Sequence, residues 1–106
     1  MSVKDLGSLF KQAQEMQSKM ADLQRDLAKK KVEVSTGGGM VKIVANGVNE
    51  IIFVHIDDEL INMNDREVLE DLITGAINEV HRKVKELAQE EMTRFTGGIK
   101  IPGLFP

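Results

Sequence analysis

The stretch that decides the fold reads Lys31-Val32-Glu33-Val34-Ser35-Thr36-Gly37-Gly38-Gly39-Met40-Val41-Lys42-Ile43-Val44-Ala45-Asn46-Gly47-Val48-Asn49-Glu50-Ile51-Ile52-Phe53-Val54-His55-Ile56. Val32 and Val34 alternate with Lys31, Glu33 and Ser35, the period-two pattern of a half-buried strand. The glycine run breaks that pattern, and Met40 to Ala45 forms a second apolar strand. Asn46-Gly47 then predicts a type I′ hairpin turn, because both central residues of such a turn need positive φ. Val48 to Ile56 reads as the third strand. The prediction is a three-stranded antiparallel meander.

Helices flank it. Leu6, Leu9, Ala13, Met16, Met20, Leu23 and Leu27 step alternately by three and four, an a/d pattern that Phe10 widens. The opposite face carries Lys11, Glu15, Ser18, Asp22, Arg25 and Lys29. Ser2 or Asp5 is placed to cap the start. Past the meander, Asp57-Asp58-Glu59-Leu60 opens a short helix. Asn64 with Glu67 forms a capping-box-like pair for a long helix over 65–94. That helix spans roughly 45 Å at 1.5 Å per residue, whereas a strand of six to nine residues spans about 20–30 Å. Part of each long helix therefore overhangs the sheet and is predicted to pair with the other, or across a dimer. Gly97-Gly98 ends the helix, and Ile99 to Pro106 is an apolar Gly/Pro tail. The fold class is α+β in one domain over 1–106, with a structured core over 1–95 and a tail over 96–106.

The strands are apolar on both faces. Ile52, Val54 and Ile56 alternate with Ile51 and Phe53, and Val41 and Ile43 with Met40 and Val44. One helical layer covers one face, and a solvated face would be polar. The face of Met40, Val44, Ile51 and Phe53 is thus predicted to meet a second copy of the chain, or the tail.

The whole chain has 106 residues, enough for one core, and a formal charge of −3. Apolar residues reach 42%, too many for a disordered chain. There is no apolar run long enough to cross a membrane and no signal-like start, so a cytoplasmic protein is expected. With no cysteine, disulfides, thiolate metal sites and cysteine nucleophiles are excluded. Charge is unevenly placed: residues 1–36 hold seven cations and five carboxylates, and every later segment up to residue 95 is acidic. The acidic total argues against nucleic-acid binding over the whole surface and leaves room for a local basic footprint.

Each candidate site has a functional and a purely structural reading. Lys29, Lys30 and Lys31, with Arg25 one turn earlier, would contact phosphates. They are also cations at a helix C-terminus, where the macrodipole favours them. Arg82 and Lys85 share a face on the last helix, but Glu79, Glu86 and Glu90 lie at pairing distance along it. Lys11, Lys19 and Arg94 are single cations among acids. Lys42 points to solvent or to a phosphate. The glycine run lacks the Gly-Lys-Ser/Thr and helix start of a phosphate loop and reads as a turn. His55 and His81 form no zinc set, and His55 reads as a half-buried structural residue. Asp57-Asp58-Glu59 lacks calcium-loop spacing and reads as capping. No catalytic constellation is present, so no enzyme, cofactor or small-molecule substrate is expected.

Several motifs in order carry a family resemblance: Leu6-Gly7-Ser8-Leu9-Phe10-Lys11-Gln12-Ala13-Gln14-Glu15-Met16-Gln17, Gly37-Gly38-Gly39-Met40-Val41-Lys42-Ile43, Asn46-Gly47, Ile56-Asp57-Asp58-Glu59-Leu60, Leu69-Glu70-Asp71-Leu72-Ile73 before Ala76-Ile77-Asn78, and Ile101-Pro102-Gly103-Leu104-Phe105. In order and spacing, over essentially the whole chain, they resemble the YbaB/EbfC family of small bacterial nucleoid-associated proteins. The resemblance implies a homodimer joined through its sheets, with helices projecting as paired arms. It also implies double-stranded DNA as partner, low or variable sequence specificity, a nucleoid location and an influence on gene expression. One departure is Asp58, where the family often has Pro; either residue suits a first helical turn. The family offers no contact motif to carry over, so Arg25, Lys29, Lys30, Lys31, Lys42, Arg82 and Lys85 stand as DNA-contact candidates on their chemistry. With four Phe and no Tyr or Trp, stacking on single strands is not expected. The rival reading is a protein-interaction module built on the heptad helices and apolar tail.

Overall fold

In the computed structural model, which describes residues 3–95, the period-two stretch forms the meander. β1 (Lys31–Thr36), β2 (Val41–Asn46) and β3 (Ile51–Ile56) pair antiparallel in the order β1-β2-β3. Helix α1 (Val3–Lys29) precedes them, and α2 (Asp58–Asn62) and α3 (Arg66–Phe95) follow. The α+β architecture is as expected; the tail and the Gly97-Gly98 stop lie outside the described residues.

Val34, Ile43 and Val54 lie opposite one another across the three strands, and so do Glu33, Val44 and Phe53. On one face Val34, Val41, Ile43 and Ala45 pack against Ala76, Val80 and Val84, which recur every four residues along α3, and against Leu60 of α2. Val41, Ile43, Leu60 and Val80 are fully buried, each such burial contributing about 1.5–3 kcal/mol. α3 lies over β1 and β2. Ile52 and Val54, which the sequence assigns to the covered face, are 49% and 48% exposed, because α3 lies chiefly over β1 and β2.

The turns differ from the sequence reading. Asn46 N–H donates to Glu50 O (3.0 Å) and Asn49 N–H to Asn46 O (3.1 Å). The left-handed residue is Asn49 (φ 67°), and Gly47 has no positive φ. The hairpin is therefore closed by a longer loop in which Asn49 is left-handed, not by a two-residue type I′ turn, and β3 starts at Ile51 instead of Val48. Buried Asn46 organises this loop: its Oδ1 accepts from Val48 and Glu50 N–H, and its Nδ2 donates to Glu50 Oε1. Gly47 is glycine for another reason. Its N–H donates to Leu27 O at 2.8 Å and Lys30 O at 3.1 Å, so a Cβ there would sit 2.5 Å from Leu27 O. The contact caps the end of α1, where Leu27 O also accepts from Lys30 N–H at 3.2 Å. The run Gly37–Gly39 makes the β1–β2 turn with all three φ positive, as only glycine does freely.

The helix starts also shift. Asp65, not Asn64, caps α3 by accepting from Val68 N–H at 3.3 Å. Asn64 is the left-handed residue between α2 and α3 (φ 54°). Asp5 lies inside the first turn of α1. Asp57 holds the cap position of α2, but its carboxylate bonds His55 and makes no cap hydrogen bond.

The long helices overhang the sheet and meet near their C-terminal ends. Lys30 Nζ donates to Glu91 of α3, and Arg94 Nη1 donates to the same carboxylate at 3.0 Å. Glu91 is 8% exposed. The hydrogen bond from Lys30 outweighs desolvation and, with Arg94, holds the Glu91 carboxyl below its ordinary 4.5. Leu23 and Leu27 of α1 are buried at this junction. Beyond it α1 runs on alone, and the molecule reaches 72 Å in its longest dimension.

Gly47→Ala is expected to lower stability by about 1–3 kcal/mol in urea unfolding, the usual cost of overpacking. Gly7→Ala, at an open helical position with nothing within 4 Å of a new Cβ, is expected to add about 0.5–1 kcal/mol. Glu91→Gln is expected to lower Tm at neutral pH. A depressed carboxyl stabilises the fold above its unfolded value and loses that contribution as pH falls through the folded value. The gap between wild type and Glu91→Gln is therefore expected to close as pH drops below 4.5, and a gap unchanged at pH 3 would refute the linkage.

Candidate nucleic-acid interface

The basic cluster at the end of α1 does not act as a unit. Lys30 turns inward to Glu91, while Lys29 and Lys31 on either side are exposed and form no ion pair among the described residues. A helix ending at Lys29 and a strand starting at Lys31 explain this split: the chain changes direction at Lys30. Arg25 leans on Asp22 at 3.3 Å, with both side chains largely exposed. Such surface pairs contribute little and exchange readily with other anions.

On α3 the cations also divide. Arg82 Nη2 bonds Glu79 at 2.6 Å and Nη1 bonds Glu86 at 2.6 Å. The Glu79 carboxyl is pulled below its usual range by the hydrogen bond from Arg82, and Arg82 is raised further, first by that same bond. Lys85 is exposed and forms no ion pair among the described residues. Lys83 Nζ donates to the backbone oxygen of Glu33 at 3.2 Å, across the free edge of β1. Arg66, in the first turn of α3, is an exposed cation with no ion pair among the described residues, and the sequence reading passed over it. A signal was present, because a cation at the positive end of a helix dipole is locally unfavourable.

The sheet face turned away from α3 carries a cross-strand row of Ser35, Lys42 and His55. Lys42 is exposed and forms no ion pair among the described residues. His55, expected half-buried, is 46% exposed at its side chain, with Nε2 2.9 Å from Asp57 Oδ1 and its ring stacked beside Phe53 at 6.3 Å. With no helix on that face, nothing buries it. His81 Nδ1 lies 3.0 Å from Asn49 Oδ1, fastening α3 to the hairpin loop. Among the described residues no three His, Asp or Glu side chains converge as a metal site would require.

The four residues assigned by sequence to one sheet face separate. Met40 packs half-buried against the core beside Gly37, and Val44 is half-buried. Ile51 and Phe53 lie on the free edge strand, 48% and 52% exposed. A bulge between Val44 and Ala45 sets Phe53 opposite Val44 but Ile51 opposite Ala45, so these two do not share a face. On the sheet, the apolar surface left open is the edge strand itself, on both sides.

Comparison with known proteins places this arrangement. The chain is 47% identical over 100 residues to the nucleoid-associated protein DP1429 of Desulfotalea psychrophila, covering 94% of each chain. It is 44% identical over 101 residues to the nucleoid-associated protein TTE0040 of Caldanaerobacter subterraneus subsp. tengcongensis, covering 95% of this chain and 91% of the relative. The crystal structure of uncharacterized protein HP0035 from Helicobacter pylori superposes with a TM-score of 0.74 at 26% identity, over 92% of this chain and 99% of that one. The family model described as the YbaB/EbfC DNA-binding family matches residues 1–99. The chain belongs to the YbaB/EbfC DNA-binding family.

Proposed function

We propose that two copies of the chain join along β3 and that the pair binds double-stranded DNA at the nucleoid, chiefly through backbone phosphates and with little sequence readout. The observation that carries the DNA reading is the set of lysines with no ion pair among the described residues, Lys29 and Lys31 at the α1–β1 junction above all, in a chain of this DNA-binding family. Ammonium groups held for no internal contact are available to phosphate oxygens, and such contacts position a protein on DNA without reading bases. Lys42 and Lys85 are weaker candidates on separate surfaces. Lys30 and Arg82 already hold carboxylates and would have to give these up.

Pairing along β3 is supported by four consecutive apolar residues, Ile51 to Val54, each about half exposed on a strand with an unpartnered edge. A bare apolar edge strand is a template for another strand. Its partner must be apolar on both faces, and a second β3 meets that requirement.

Fluorescence anisotropy of a random-sequence duplex tests the DNA reading. Affinity is expected to fall steeply between about 50 and 200 mM salt. The double variant Lys29→Glu, Lys31→Glu is expected to bind weakly, with a salt slope lower by about 1 per lost contact. Lys30 is left intact so that the Glu91 contact, and with it the fold, survives. Wild-type protein that binds no duplex at low salt would refute the proposal and bring the interaction-module reading forward. For the pairing, light scattering should give at least twice the 11.8 kDa chain mass, and Val54→Asp is expected to lower that mass.

A further inference from the structure

Beyond its junction with α3, α1 keeps an apolar stripe that no described residue covers. Leu6 is 46% exposed, Leu9 50%, Phe10 71% and Met16 53%, with Ala13 between them. Helices in proteins draw most of their stability from packing an amphipathic face, and a seam repeating every three and four residues is shaped for a second helix. We infer that the N-terminal part of α1 pairs antiparallel with the same part of α1 in a second copy of this chain.

Charge and shape select this occupant and its direction. Taking Leu6, Ala13 and Met20 as a positions and Leu9, Met16 and Leu23 as d positions, an antiparallel pair centred near residue 11 sets Leu6 against the second copy's Met16 and Leu9 against its Ala13. Large residues then meet smaller or flexible ones, and the two Phe10 rings meet at the flank. The same register brings Lys19, which forms no ion pair in the single copy, level with the second copy's Asp5, twice by symmetry. A parallel in-register pair would instead set Lys19 against Gln24 and Asp5 against Phe10, with no charge pairing. The antiparallel overlap also stops short of Leu23 and Leu27, which the junction already buries. The polar face with Lys11, Arg25 and Lys29 stays open. The contact uses a different surface from β3 and does not depend on that pairing.

The chain has no cysteine, so single thiols can be placed at will. With a short bis-maleimide linker, Gln12→Cys is expected to cross-link to itself, because residue 12 faces its own copy. Lys19→Cys alone is expected not to, since the two thiols lie about 21 Å apart along the antiparallel pair. A mixture of Asp5→Cys and Lys19→Cys chains is expected to cross-link, and adding Phe10→Glu to Gln12→Cys should reduce its yield at least tenfold. Self-cross-linking of both Gln12→Cys and Lys19→Cys would indicate a parallel pair and overturn the proposal. No cross-linking at any position would overturn it too. Cross-linking that appears only after residues 96–106 are removed would assign the stripe to the tail instead. Retention of the Gln12→Cys product in a Val54→Asp background separates this contact from pairing along β3, whichever way the latter turns out.

Discussion

The contact on which the rest of the structure depends is between Gly47 and the last turn of α1. A backbone N–H from the hairpin loop enters the end of a helix and takes the carbonyls of Leu27 and Lys30. Nothing with a side chain fits there, since even a methyl group would sit 2.5 Å from an oxygen. This close approach sets the angle at which α1 leaves the sheet. The buried Leu23 and Leu27, the inward turn of Lys30 and its bond to Glu91 all follow from that angle. So does the outward position of Lys29 and Lys31, because residues on either side of one inward-turned lysine have no room on the same side.

A second constraint is the mismatch between one covering helix and three strands. α3 lies over β1 and β2, and the two free edges of the sheet are then handled differently. On the β1 side Lys83 reaches a main-chain oxygen, and Lys31, Glu33 and Ser35 present polar side chains outward. Lysine on an edge discourages strand addition. On the β3 side no comparable charge stands guard, and the strand is apolar in both directions. A sheet with one protected and one bare edge favours pairs over open-ended stacking, since a pair formed through β3 presents only β1 edges to the outside.

Element order was legible because it rests on periodicity, and the meander and long helices announce themselves by periods of two and of three to four. What the sequence concealed rests on tertiary contact. Asn46-Gly47 signals a hairpin correctly, but a dipeptide cannot tell whether its glycine serves a positive φ or a helix end packed against it, and here it is the latter. The bulge at Val44 and Ala45 defeats strict alternation, so Ile51 and Phe53 do not share the face that counting by twos gives them. In the basic cluster, Lys29, Lys30 and Lys31 look alike in sequence. Only the position of Glu91, distant in the chain, distinguishes the one that is occupied. Arg82 was legible as a paired residue because its carboxylates lie three and four positions away on the same helix.

An acidic chain is an unusual vehicle for DNA, and the placement of its charges resolves the difficulty. Most of the excess carboxylates lie in the residues from 37 to 95, where several are spent on internal cations such as Arg82, Lys30 and Arg94. Electrostatic attraction at close range depends on which ammonium groups are free within a Debye length of the phosphates, about 8 Å at physiological salt. Net charge governs only the weaker field further out. A protein built this way gains little from long-range steering and is repelled wherever its acidic faces approach the duplex. On the proposed reading, binding is then confined to orientations that present Lys29 and Lys31. Such a constraint selects a geometry on the DNA without selecting a sequence, which is the behaviour that backbone contacts alone produce.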